Sequence, residues 1–164
     1  MNNLCELISL LSKNHLFLAT AESCTAGKIV SLLAENEGCG GCLDVGFVVY
    51  SAAAKKRILQ VRQSTIDQYT LTSEEVAHEM AAGVFASSIA DIVIATTGLA
   101  GTEPIEGIEP GTICFAWGYK NKSEKKIFTE KKIFSGERES IQYQASYYAL
   151  EHMLHHLPEM FELK

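Results

Sequence analysis

Residues 18–28, LATAESCTAGK, constrain the fold more than any other stretch, because an apolar run stops there at small polar residues and a glycine. This change of pattern predicts that a buried strand gives way to a helix, and it places Ser23 at the junction. A hydroxyl in that position faces the unpaired backbone N–H groups of a helix start, which stabilise anions. Ser and Thr are also preferred helix caps, so a capping role stays open at this point.

The remaining apolar segments alternate between strand and helix patterns. Strands are predicted at 15–20, 43–51 and 91–97, and segments 112–119 and 127–134 are predicted to pair as an antiparallel hairpin. Helices are predicted at 3–13, 25–35, 52–59, 72–88 and 137–157, with a short helix or turn at 64–69 and with Pro158 ending the last helix. Alternation of this kind is typical of an α/β fold.

The length of 164 residues suits one compact domain, and we expect a single domain over residues 1–164. The formal net charge of −6 argues against a protein that binds nucleic acid or anionic membranes, since such proteins present a basic face. The N-terminal segment carries Glu6, Ser9 and Ser12 among its apolar residues, which predicts an amphipathic helix and not a signal peptide. No apolar run approaches the roughly 20 residues of a membrane span. A cytoplasmic location is therefore expected.

The cysteines and histidines do not form a recognisable metal site. Five cysteines in a chain without a secretory signal are expected to be reduced thiols. Cys39 and Cys42 form a CGGC pair, but a structural zinc site takes four ligands and the sequence has no second pair. His152, His155 and His156 share part of a predicted helix face and are interpreted as surface residues. We predict no metal and no other cofactor, and a redox or zinc protein is the last-ranked alternative.

Polar residues follow three of the predicted strands where each strand ends. They are Glu22, Ser23 and Thr25 after the first, Tyr50, Ser51 and Lys55 after the second, and Thr97, Gly98, Gly101 and Thr102 after the third. If these strands are neighbours in one sheet, the groups meet at its edge, where open α/β sheets bind ligands. No histidine lies at these junctions. One hypothesis is therefore a serine activated by lysine, because a lysine among apolar neighbours loses its proton more easily, and the other is an ordinary solvated lysine.

Four stretches in the same order carry a resemblance to a known family. LATAESCTAG, VVYSAAAKKRIL, ATTGLAGTEP and FSGERESIQ resemble the signature stretches of the CinA C-terminal domain family, the nicotinamide mononucleotide deamidases. The resemblance implies a three-layer α/β/α domain with a mixed, mostly parallel sheet. It implies hydrolysis of nicotinamide mononucleotide to nicotinate mononucleotide and ammonia, without a metal. The expected partner is this small-molecule nucleotide, and we expect the chain to form a homo-oligomer.

The resemblance also assigns roles to residues of this chain. It implies that Ser23 is the nucleophile and that Lys55 takes its proton, while backbone N–H groups at the start of the next helix hold the oxyanion. Tyr50 is expected to orient the dyad or the pyridine ring. The predicted substrate-binding residues are Glu22, Thr25, Thr97, Gly98, Gly101 and Arg138, of which the last four are expected to contact the ribose and phosphate.

Three positions depart from the family pattern. Ala26 stands in place of a glycine, Thr102 in place of a proline and Gln142 in place of an arginine. The loop after Thr102, with the sequence EPIEGIEP, is acidic where the family has a glycine-rich run. A lost cation and an acidic loop suit an anionic mononucleotide less well. The alternative to an amidase is therefore a non-catalytic ligand-binding or assembly module with a changed pocket.

Overall fold

The computed structural model describes residues 3–122 and 124–161. The helices are α1 (Asn3–Lys13), α2 (Lys28–Ala34), α3 (Ala52–Leu59), α4 (Gln63–Tyr69), α5 (Glu74–Ser87) and α6 (Arg138–Met160). The strands are β1 (Leu18–Glu22), β2 (Leu43–Val48), β3 (Ile92–Gly98), β4 (Thr112–Lys120) and β5 (Lys125–Ile133). A short 3₁₀ turn, Cys39–Gly41, precedes β2. None of these described helices combines the length and the apolar character needed to cross a membrane.

The strands form one mixed sheet in the order β2-β1-β3-β4-β5. β1 pairs in parallel with both β2 and β3, whereas β4 is antiparallel to β3 and β5. Only β4 therefore runs against the direction of the other four described strands, which confirms the predicted mixed, mostly parallel sheet. The carboxyl ends of β1, β2 and β3 therefore lie at the same edge of the sheet, as predicted for three neighbouring strands.

Helices cover both faces of the sheet, which confirms the three-layer α/β/α fold. One apolar core lies between the sheet and helices α1, α2 and α6. A second core lies on the opposite face, against α3 and α5. Strand β4 contributes side chains to both cores. Phe115 and Trp117 belong to the first core, and the alternating residues Cys114 and Ala116 belong to the second.

Two predicted boundaries near Ser23 were wrong, and left-handed backbone explains both. The first strand begins at Leu18 and not at residue 15, because His15 (φ 55°) belongs to the turn that ends α1. Helix α2 begins at Lys28 and not at residue 25, because Ala26 (φ 52°) and Gly27 (φ 92°) adopt left-handed conformations that a right-handed helix excludes. Four turn residues therefore separate Ser23 from the helix.

The prediction that Pro158 ends the last helix was also wrong. Helix α6 continues through Pro158 to Met160. A proline removes one helical N–H and disfavours the turn before it. Leu157 and Met160 are both buried in the first core, and we attribute the last turn of α6 to the packing of these side chains.

Candidate active site

Helix α3 carries Lys55 into the interior at the end of β2. Ser51 caps the helix, and its hydroxyl accepts a hydrogen bond of 3.0 Å from the backbone N–H of Ala54. This start places Lys55 against the strand ends, where its side chain is only 1% exposed. The Lys55 Nζ lies 2.7 Å from Ser23 Oγ. The two predicted catalytic residues are thus in direct contact.

The surroundings of Lys55 favour its neutral form. Burial lowers the pKa of Lys55 from 10.5 to about 8, although the nearby Cys24 acts in the opposite direction. Nζ also donates to the carbonyl oxygens of Val49 (2.9 Å) and Tyr50 (3.2 Å). A neutral amine has two N–H groups and one lone pair. If both N–H groups are used by these carbonyls, the lone pair faces the Ser23 hydroxyl.

The turn after Ser23 is built around the carboxylate of Glu22. This carboxylate is fully buried and accepts hydrogen bonds from the hydroxyl of Thr25 (2.7 Å) and from the backbone N–H groups of Gly27 (2.9 Å), Ile29 (3.1 Å) and Val30 (3.1 Å). Glu22 therefore performs the function of an N-cap for α2 from the strand before it.

This arrangement changes the roles expected for Glu22 and Thr25. Both side chains are fully buried in the turn, and neither lines the cavity described below, so the structure does not bring them to a ligand. The predicted oxyanion donors at the start of α2 are also engaged, because Ile29 and Val30 donate to Glu22. The backbone of Ser23 is fixed separately, since its N–H donates to the carbonyl of Thr96 at 3.0 Å.

A cavity of about 360 Å³ opens above the Ser23–Lys55 pair. Its volume falls within the range of small-molecule sites. The sequence-predicted residues that line it are Ser23, Tyr50, Lys55, Thr97, Gly98, Gly101 and Arg138. The residues that sequence analysis missed are Cys24, Leu71, Thr72, Leu99, Ala100, Ile105, Glu106 and Ile108. Six of the ten polar residues and glycines predicted to converge at the three strand ends therefore line one cavity, whereas Glu22, Thr25, Ser51 and Thr102 do not.

Tyr50 and Arg138 meet at the cavity. The Arg138 guanidinium donates a hydrogen bond of 2.7 Å to the Tyr50 hydroxyl, which joins the segment after β2 to the first turn of α6. Tyr50 is 56% exposed. Its backbone carbonyl, and not its hydroxyl, contacts Lys55. The Tyr50 side chain consequently lines the cavity without a hydrogen bond to Lys55.

The three predicted residues at the end of β3 have different surroundings. The hydroxyl of Thr97 donates to the carbonyl of Leu71 at 2.8 Å, so it fixes the segment between α4 and α5. A side chain at Gly98 would approach the backbone oxygen of Thr112 to 2.6 Å, so glycine is needed there for the pairing of β3 with β4. Gly101 has room for a side chain, with the Arg138 guanidinium 3.7 Å from the position of an added Cβ.

The comparisons with known proteins assign the family. The family model described as the CinA C-terminal domain matches residues 3–157. The chain belongs to the CinA C-terminal domain family. It is 38% identical to the nicotinamide-nucleotide amidohydrolase PncC of Enterobacter agglomerans, over 82% of this chain and 81% of that protein. It is 39% identical to the protein YdeJ of Escherichia coli K12, over 88% of this chain and 82% of that protein.

The fold is shared with solved CinA superfamily structures. The CinA superfamily protein of Enterobacter cloacae superposes with a TM-score of 0.89 and is 38% identical, covering 94% of this chain and 90% of the other. The competence or damage-inducible protein of Enterobacter asburiae has a TM-score of 0.88 at 39% identity, with 94% and 96% of the two chains covered.

Gln142, at the position where the sequence resemblance led us to expect an arginine, contacts the turn after Ser23. Its side-chain amide donates to the carbonyl of Cys24 at 2.8 Å, across 118 residues of sequence. The departure in this CinA family member therefore has a structural use, because it ties α6 to the residue directly after Ser23. No local sequence pattern reports such a contact between distant segments.

The side chains considered for metal or redox chemistry lie elsewhere. Cys39 and Cys42 are free thiols in the turn before β2. Within residues 3–122 and 124–161, no group of three or more histidine, cysteine or acidic side chains is arranged to hold a metal ion. His152 differs from the prediction of a surface residue, because its ring stacks on Trp117 with centroids 3.8 Å apart.

Proposed function

We propose that this chain hydrolyses the carboxamide of nicotinamide mononucleotide to nicotinate mononucleotide and ammonia, with Ser23 as nucleophile and Lys55 as general base. The observation that carries the proposal is the 2.7 Å contact between Lys55 Nζ and Ser23 Oγ, made by a buried lysine at a cavity. The relatives named nicotinamide-nucleotide amidohydrolase support the choice of substrate.

The chemistry begins with the neutral Lys55 amine. It takes the hydroxyl proton of Ser23, and the oxygen attacks the carboxamide carbon to form a tetrahedral intermediate. The Lys55 ammonium then returns a proton to the leaving nitrogen, and ammonia departs. Water, deprotonated by the same amine, cleaves the acyl-enzyme and restores Ser23. The carbonyls of Val49 and Tyr50 hold the Lys55 Nζ in place through these proton transfers.

The oxyanion needs a backbone donor other than those of α2. Cys24 follows the nucleophile and lines the cavity, so its backbone N–H is the candidate donor. The Cys24 thiol itself is a poor second nucleophile, because burial raises its pKa to about 12. The carbonyl of Cys24 is held by Gln142, which orients the turn as a whole.

The cavity offers distinct surroundings for the rest of the substrate. Arg138 is the candidate partner of the phosphate, because a guanidinium binds phosphate oxygens in a bidentate manner. The ring of Tyr50 and the apolar side chains of Leu99 and Ile108 provide surfaces for the pyridine ring. Gly98 and Gly101 allow the backbone to approach the ribose.

We also propose a cytoplasmic location and a homo-oligomeric assembly, the latter testable by light scattering in solution.

The proposal is tested by ammonia release from nicotinamide mononucleotide. We expect release by the wild type, near-complete loss in Ser23→Ala, and unchanged release in Ser31→Ala, which removes an exposed hydroxyl of α2. Absence of release by the wild type, or equal release by Ser23→Ala, contradicts the proposal. In that case the alternative of a non-catalytic ligand-binding module is favoured, and a panel of other small amides separates it from an amidase with a different substrate.

A further inference from the structure

We propose that Glu106 recognises the positive charge of the substrate's pyridinium ring and so makes the site selective for cationic pyridine carboxamides. The inference rests on the proposed function, because it concerns the ligand of the same cavity. It is carried by three observations: the backbone conformation of Glu106, its place in the cavity lining, and its lack of an internal partner.

Glu106 lies in a backbone conformation that its residue type disfavours. The segment from Ile105 to Ile108 forms a two-residue hairpin turn, with reciprocal backbone hydrogen bonds of 2.9 Å and 3.3 Å between the two isoleucines. Both central residues are left-handed, Glu106 with φ 53° and Gly107 with φ 77°. Asn, Asp or Gly normally occupies the first of these positions. The turn itself therefore gives no reason for a glutamate.

The place of Glu106 in the site supplies a reason. It lines the cavity that contains Ser23 and Lys55, between the apolar side chains of Ile105 and Ile108. An unfavourable conformation that persists at a ligand cavity points to a role for the side chain. The Glu106 side chain is exposed, so a cation beside it would form a solvent-screened pair whose attraction is modest.

The Glu106 carboxylate has no partner of its own. In the part of the chain that the structure describes, it makes neither an ion pair nor a side-chain hydrogen bond. Arg138 lines the same cavity, but its guanidinium contacts the Tyr50 hydroxyl instead. Lys55 is the second basic side chain of the lining, and its amine contacts Ser23 and two backbone carbonyls. Glu106 is therefore the one carboxylate among the described lining residues, and neither basic side chain pairs with it.

Two separate charges of opposite sign fit a zwitterionic ligand. Nicotinamide mononucleotide is such a ligand, because its phosphate is negative and its N-ribosylated pyridine ring carries a permanent positive charge. With the phosphate at Arg138 and the carboxamide at Ser23, Glu106 remains as the group that can balance the ring. With this assignment the acidic loop contributes to binding of the mononucleotide, although its negative charge alone predicted weaker binding of an anionic ligand.

The test compares ligands that differ in ring charge. Nicotinamide mononucleotide and its reduced 1,4-dihydropyridine form share the ribose and phosphate, but only the first has a cationic ring. Calorimetric Kd values are measured in the Ser23→Ala background, where no turnover is expected to interfere. Glu106→Gln keeps the side-chain length and removes the charge. We expect it to weaken binding of the cationic form by about two- to fivefold and to leave the Kd of the reduced form unchanged.

The matched control is Glu103→Gln, which removes the same charge from an exposed residue of the same loop that does not line the cavity. We expect it to change neither Kd. Equal weakening of both ligands by Glu106→Gln, no weakening of either, or no measurable binding of either by Ser23→Ala overturns the inference. Because binding is measured without turnover, a wild type that releases no ammonia refutes the proposed amidase while the dependence on ring charge is still decided.

Discussion

Replacement of Lys55 tests the dyad most directly, because the protonation of this one amine should control the pH dependence of both activity and stability. At pH 7.5 a lysine with the usual pKa of 10.5 is about 0.1% neutral, whereas a pKa of about 8 leaves about a quarter of the molecules with a neutral amine. We therefore expect kcat/KM to rise about tenfold per pH unit below pH 8 and to level above it. Lys55→Met should lower kcat/KM by about 10²- to 10⁴-fold.

The same pKa predicts how stability depends on pH. The unfolded chain binds the lysine proton below pH 10.5, but the folded chain binds it only below about pH 8. Between these values the unfolded state holds more protons, so the free energy of unfolding rises with pH. Below pH 8 the buried lysine is charged, and this charge lowers the free energy of unfolding by about 3 kcal/mol, the value that corresponds to a pKa change from 10.5 to about 8.

Lys55→Met removes that cost, although it leaves the carbonyls of Val49 and Tyr50 without a donor. The lost hydrogen bonds do not depend on pH. The stability of the variant relative to the wild type should therefore fall by about 3 kcal/mol as the pH rises from 7 to 10.5.

Ammonia release from pH 6 to 10 and urea denaturation at several pH values measure the two effects. Lys56→Met is the control, since Lys56 is exposed and adjacent in sequence. A difference in stability between Lys55→Met and the wild type that stays constant from pH 7 to 10.5 would refute the reasoning, as would a rate profile that is flat down to pH 6.

Further substitutions test the turn after Ser23, the glycines after β3 and the packing of His152 on Trp117. Glu22→Gln places an amide donor among backbone N–H donors, so it should lower the free energy of unfolding by about 2–3 kcal/mol and reduce ammonia release, as measured by urea denaturation and the activity assay. Gly98→Ala should lower the free energy of unfolding by about 1–3 kcal/mol, because the new Cβ would lie 2.6 Å from a β4 backbone oxygen. Gly101→Ala, which has room for a Cβ, should leave it nearly unchanged in the same denaturation assay. Burial lowers the pKa of His152 below 6.5, so the folded state favours the neutral ring. The contribution of His152 to the free energy of unfolding is therefore fully present above pH 6.5 and is lost as the pH falls below it. His152→Phe should remove this dependence in thermal melts, and the exposed His155→Phe should not.

The contact between Ser23 and Lys55 was predictable because it depends on topology. Each residue follows a buried strand, and β1 and β2 pair in parallel, so their carboxyl ends meet at one edge of the sheet. Order along the chain and polar residues at strand ends are sufficient for that inference. The apolar walls of the cavity were not predictable, because Leu71 and Ile108 come from connecting segments without a periodic pattern.

The role of Glu22 could not be predicted from the sequence. A glutamate at the end of a strand gives the same sequence pattern whether its carboxylate faces a ligand or binds the backbone of the next turn. The outcome depends on the left-handed pair Ala26 and Gly27, which delays the start of α2 and turns its first N–H groups toward the carboxylate. An alanine in this conformation costs about 1 kcal/mol or more relative to glycine. Five buried or partly buried hydrogen bonds around Glu22 and Thr25 compensate for this cost.

Gln142 shows how a neutral residue, where the sequence resemblance led us to expect an arginine, is compatible with the proposed catalysis. Its amide holds the carbonyl of Cys24, so the turn after Ser23 is fixed from α6 as well as from Glu22. Gln142 contacts Cys24, which itself affects the pKa of Lys55, so a guanidinium at this position would bring a second positive charge toward Lys55 and lower its pKa further. A neutral donor supports the turn and leaves the pKa of the base at about 8, close to neutral pH, where a general base works best. In the proposed mechanism, Gln142 therefore positions the turn after Ser23, and Arg138 is left to bind the anion.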